Sequence, residues 1–161
     1  MMDKSMQRAL VVVEASEDLD IQPTDASKEI TRLAGQLAAG VDAEVYVMHV
    51  TSEERFQDRL DQLSSVEELD VQYDVETAAR GAQQFAANVA NEVLADLDVD
   101  ITAIGRLGEI EEKVLAVADE YDCDHLFITG RRRSPTGKAI FGDLAQSLIL
   151  NFDGPVTVTT Q

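Results

Sequence analysis

At 161 residues the chain is long enough for one domain with a sizeable core, and its 45% hydrophobic content excludes global disorder. No stretch reaches the roughly 18 apolar residues of a membrane span, and with no Trp and 5% aromatics the core is expected to be aliphatic. Thirty-one acidic residues against 13 basic ones leave a formal net charge of -18, which disfavours nonspecific contact with nucleic acid or an anionic membrane.

The first eight residues are polar and lack the apolar segment of a signal peptide, so a cytoplasmic location is expected. Residues 8–14 are a short β-branched run that predicts a buried parallel strand. A polar loop to Pro23 follows, and Thr24 is placed to cap a helix with Asp25 in its first turn. Ile30, Leu33, Ala34, Leu37 and Ala38 recur at helical spacing, and Gly40 is the expected stop. Residues 43–50 predict the second strand. Between 51 and 76, Phe56, Leu60 and Leu63 suggest a short helix and a loop. From Thr77 to Leu97 the helical pattern is strong, through Ala82, Phe85, Val89, Ala90, Val93 and Leu94.

Residues 99–105 predict the third strand. Gly108 as cap and Glu111 at the third position frame the next helix, whose apolar face is Ile110, Val114, Val117, Ala118 and Tyr121. Glu109, Glu111 and Glu112 fit the first turn of that helix better than a metal cluster, because carboxylates there complement the dipole. The single Cys123 rules out an intramolecular disulfide, and its acidic neighbours Asp122 and Asp124 disfavour a reactive thiolate. Residues 125–129 predict the fourth strand, Leu144 to Phe152 a last short helix, Asp153-Gly-Pro a turn and residues 156–160 a final strand.

Strands alternating with helices define an α/β chain: a doubly wound five-stranded parallel sheet, Rossmann-like, in one domain spanning residues 1–161. In such a sheet ligands bind beyond the C-terminal strand ends, where the strand order reverses. Glu14, Val50, Gly105 and Gly130 fall at those ends. The segment after Gly130, with Arg131, Arg132, Arg133 and Lys138, is a basic loop leading to a helix start near Gly142. Free helix N–H groups beside arginines are how a phosphate site is built. A solvated loop, or a bridge to acidic surface, is the alternative reading of the arginine run. Gly137-Lys138 lacks the Walker spacing and its Ser/Thr, and His49 and His125 fit core or strand-end positions with no Ser/His/Asp arrangement.

The loop resembles the nucleotide loop of universal stress proteins, Gly-x2-Gly-x9-Gly-Ser/Thr. Leu10 to Ser16, His49-Val50, Gly105, Gly108-Glu-Ile110 and Pro155 to Val158 resemble other segments of that family, so the likeness covers nearly the whole chain. It implies an adenine nucleotide alpha hydrolase-like fold that binds AMP, or ATP with magnesium. It also implies a homodimer paired through the last strand, Val156–Thr160. On this resemblance Val12, Glu14 and Val50 contact adenine and ribose, and Thr129, Gly130 and Arg132 line the base of the site. Arg133, Gly142, Asp143 and Leu144 face the phosphates.

The chain departs from the pattern in three places. Arg133 stands at the second glycine, one residue fewer separates it from Gly142, and Asp143 replaces the phosphate-contacting Ser/Thr. An ionised Asp only accepts hydrogen bonds, so AMP or another small anion suits the site better than a triphosphate. Three functions follow as expectations: a non-enzymatic stress-response protein sensing or sequestering a phosphorylated ligand, a slow ATPase, or a scaffold with no nucleotide. Acidic residues on nearly every segment suggest a surface adapted to high salt, where a Debye length of roughly 3 Å removes self-repulsion. An ordinary acidic cytoplasmic protein is the alternative.

Overall fold

A computed structural model describes residues 5–16, 22–64, 75–130 and 142–160, without the side chains of residues 59 and 62–64. Arg131 to Phe141, and with them Arg132 and Arg133, lie outside the described residues.

In chain order the elements are β1 Arg8–Val12, α1 Asp25–Val41, β2 Glu44–Thr51, α2 Glu53–Ser64, α3 Val75–Leu94 and β3 Ile101–Leu107. They continue as α4 Ile110–Glu120, β4 His125–Gly130, α5 Asp143–Asn151 and β5 Val156–Thr160. The five strands form one parallel sheet in the order β3-β2-β1-β4-β5. The crossover between β2 and β3 carries two helices, the short α2 expected between 51 and 76 and the long α3.

Alternation along the strands sorts the core into two layers. Ala9, Val11, Val45, Val47 and Phe127 face α1 and α3, whereas Leu10, Met48, Ile104, Leu126 and Ile128 face α4 and α5. The core is aliphatic apart from Phe127 and Tyr46, which are buried with it. The sheet is thus covered on both faces, which is why its strands read as unbroken apolar runs.

Local signals place the helices, with some corrections. Thr24 caps α1: its hydroxyl oxygen accepts the Ser27 N–H at 3.1 Å. The helix passes Gly40 and ends at Val41, with Asp42 in the left-handed region at φ 58°. Leu33 and Leu37, expected inside, are exposed at 36% and 46%, while Ser27 and Thr31 are fully buried. The two polar side chains can occupy that face because both are bonded. Thr31 donates to the Ser27 carbonyl at 2.7 Å, and the Ser27 hydroxyl oxygen accepts the Glu14 N–H at 2.7 Å. At α4 the cap is Glu109 with no side-chain bond, not Gly108, because Gly108 turns at φ +143° before the helix begins. The Glu111 carboxylate instead accepts the Ser147 hydroxyl of α5 at 2.5 Å, joining the two helices.

Candidate functional site

β1 pairs with β2 on one side and β4 on the other, so the chain winds in opposite directions from β1. The crossovers from β1 and β4 therefore lead apart and leave a crevice above these two strand ends. A cavity of about 320 Å³ occupies it.

Val12, Glu14 and Val50 line this cavity from β1 and β2, and Thr129 and Gly130 from the end of β4. Gly142, Asp143 and Leu144 line it from the start of α5. Eight of the ten predicted site residues therefore meet in one space, and the other two, Arg132 and Arg133, lie outside the described residues. Gly105 is not at a strand end and does not line the cavity, since β3 continues to Leu107.

Backbone bonding sets the rim. Past β1, the Val13 N–H donates to the Met48 carbonyl at 2.9 Å, keeping the chain beside β2. The Thr24 N–H donates to the Glu14 carbonyl at 3.1 Å, and Ala15 bridges to Pro23. The Glu14 backbone is thereby held by the start of α1, at the wall of the cavity. Across the crevice, Gly142 caps α5 without a side chain, and first-turn N–H groups have no acceptor within their own helix.

Several lining residues were not predicted: Val13 and Ala15 after β1, Ser52 and Arg55 at α2, Ile110 at α4 and Ala145 at α5. Ser52 directly follows β2, so the rule that strand ends build the site pointed to it. His49, expected at a core or strand-end position, is 8% exposed and also lines the cavity. One of its ring nitrogens, Nδ1, lies 2.8 Å from the Val13 carbonyl and its ring packs on Phe85 at 4.4 Å. Nδ1 therefore carries the hydrogen and donates it to that carbonyl. Burial pushes this imidazole below its ordinary value; the Val13 carbonyl opposes the shift and the Arg55 charge adds to it.

Cys123 lies away from the cavity and is buried. Burial and the neighbouring Asp124 and Asp122 push its thiol up to about 12, which suits an inert structural thiol. Among the described residues no group of three or more His, Cys, Asp or Glu is placed to hold a metal ion, and no helix is long and apolar enough to cross a membrane.

A parallel doubly wound sheet with a cleft at its strand-order reversal defines a class of ligand-binding α/β protein. Within that class the chain belongs to the universal stress protein family, whose family model matches residues 6–160. No curated protein sequence matches it. Among solved structures, a universal stress protein from Archaeoglobus fulgidus is 25% identical, covers 94% of this chain and 97% of its own, and superposes with a TM-score of 0.58. A family protein from Arabidopsis thaliana, determined with AMP bound, is 15% identical (96% of this chain, 92% of that one, TM-score 0.60). An Archaeoglobus fulgidus structure in complex with dAMP is 18% identical (96% and 98%, TM-score 0.51). At those lower identities the likeness concerns the fold.

Proposed function

We propose that this chain is a cytoplasmic stress-response protein that binds an adenosine monophosphate in the crevice between β1 and β4 and works as a nucleotide sensor or reservoir, not as a catalyst. The observation that carries this reading is the meeting of Val12, Glu14, Val50, Thr129, Gly130, Gly142, Asp143 and Leu144 around one cavity. AMP and dAMP are bound by two of the structurally similar proteins, which supports an adenine nucleotide as the ligand.

In this reading Val12, Val50, Ile110 and Leu144 supply apolar walls for a purine, and the start of α5 supplies N–H groups for a phosphate. Glu14 is an acceptor for ribose hydroxyls. Asp143 in the first turn of α5 opposes a chain of phosphates, which favours a monophosphate over ATP. The rival, a slow ATPase, needs a base near the attacking water, and the cavity residues that offer one are Glu14, Asp143 and His49, whose Nε2 stays an acceptor while Nδ1 donates to the Val13 carbonyl.

Calorimetric titration of AMP, ATP with magnesium and adenosine tests the proposal, with phosphate release from ATP followed in parallel. Saturable AMP binding without hydrolysis is expected. No binding of any of the three rejects the reading, and turnover above a buffer control favours the ATPase. Glu14→Gln should weaken AMP by about ten-fold while leaving 2′,3′-dideoxy-AMP, which has no hydroxyls to donate, unaffected.

A further inference from the structure

β2 ends at Thr51 and α2 begins at Glu53, so the first turn of α2 stands on the crevice rim. Ser52 builds that turn: its hydroxyl oxygen accepts the Arg55 N–H at 3.2 Å and its carbonyl accepts the Phe56 N–H at 3.0 Å. This places Arg55 among the cavity-lining residues on the β2 side, with α5 on the β4 side. The guanidinium reaches the segment that follows β1, where Nη2 donates to the Ser16 carbonyl at 3.4 Å, a long and weak bond.

Ion pairing divides the described cations of this molecule. Arg8, Lys28, Arg32 and Arg106 each form an ion pair with a carboxylate. Arg55, like Arg80 and Lys113, belongs to none of the ion pairs found among the described residues, and of these three it alone lines the cavity. The same cavity is lined by the acidic residues Glu14 and Asp143, and among its described lining residues Arg55 carries the only full positive charge. A phosphate entering between two carboxylates needs a cation, and a guanidinium fits phosphate oxygens with two parallel N–H donors.

We propose that Arg55 is the residue that makes the crevice select for an anionic ligand, gripping the phosphate of a nucleoside monophosphate from the α2 side while α5 approaches it from the other. The inference rests on the nucleotide reading above and adds the group that separates a nucleotide from its nucleoside. Glu14 acts on the sugar and the apolar walls act on the base, so neither discriminates by charge. Arg55 acts on the phosphate alone. Its hold on Ser16 is weak enough to be exchanged for a phosphate oxygen without unfolding α2.

The test is calorimetric titration of adenosine and AMP into the intact chain and its Arg55→Gln and Arg55→Lys variants, in dilute and in molar salt. Arg55 is exposed, so both variants should fold, and their thermal melts check this. Arg55→Gln should weaken AMP by roughly five- to ten-fold and leave adenosine within about two-fold, because a charge-assisted bond is lost from a partly screened site. Arg55→Lys should restore part of the loss, and the salt dependence of AMP binding should flatten in Arg55→Gln. Equal losses for adenosine and AMP would show that Arg55 supports the base or the fold, and would overturn the assignment. So would unchanged AMP binding by a wild-type-like variant, with the nucleotide reading intact. A wild-type chain that binds neither compound overturns both.

Discussion

His49 shows how one side chain serves both the fold and the crevice. Its bond to the Val13 carbonyl spans β2 and the end of β1, and its ring closes against Phe85 of α3. Burial favours the neutral ring, so its folded value lies below the ordinary 6.5. As pH falls below 6.5 the unfolded chain takes up a proton that the folded chain refuses. The stabilisation from His49 is therefore complete above that pH and is lost as pH falls through the depressed folded value. His125, which bonds Thr157 of β5, is also shifted down by burial, against the pull of Asp124, and acts in the same direction. The urea midpoint measured at roughly pH 5 and pH 7 should differ less in His49→Asn, whose amide keeps the donor but does not titrate in this range. An unchanged difference would mean that the ring is not buried neutral. The chain placed both histidines at core or strand-end positions, but their bonding partners were not legible, because each partner lies on a distant element.

At the scale of elements, α3 packs closely against β3. A Cβ on Gly105 would stand 2.1 Å from the Gln83 nitrogen and 2.2 Å from the Ala79 carbonyl oxygen. Both are helix backbone atoms, which cannot swing aside. Gly105→Ala should therefore cost about 3 kcal/mol, at the upper end for overpacking, read as a lowered urea midpoint. A loss under about 1 kcal/mol would show that α3 lies farther from the sheet. Ala78, Ala82, Ala86 and Ala90 are buried along α3, which fits that close approach. The alanine pattern announced a helix, but its partner came only from the topology. The reverse holds for α1, where the spacing of Leu33 and Leu37 suggested burial, yet the packed face runs through Ser27, Ile30, Thr31 and Ala34.

For the whole molecule, charge and the open sheet edge act together. We infer that β5 pairs with a second copy of the chain. It is an edge strand with half-buried residues along its length, and it follows a helix that leaves Leu150 74% exposed. Each copy carries a net charge of -18, so association works against repulsion that salt screens. Sedimentation equilibrium should show a dimer that tightens from dilute buffer to molar salt. A monomer at every salt concentration rejects the pairing.

The sequence by itself determined the number of the strands, their succession along the chain and the parallel double winding, because these rest on local periodicity and on chain-wide topological rules, whereas most of the crevice residues were named from the family resemblance. Thr24, Gly130 and Gly142 could be placed by their neighbours in the chain alone. Only the tertiary structure decided that Arg55 stands at the crevice, that Ser27 and Thr31 are buried, and that Gly105 lies under α3. Those facts depend on which elements come together across long stretches of chain, and a single strand or helix carries no record of its partner.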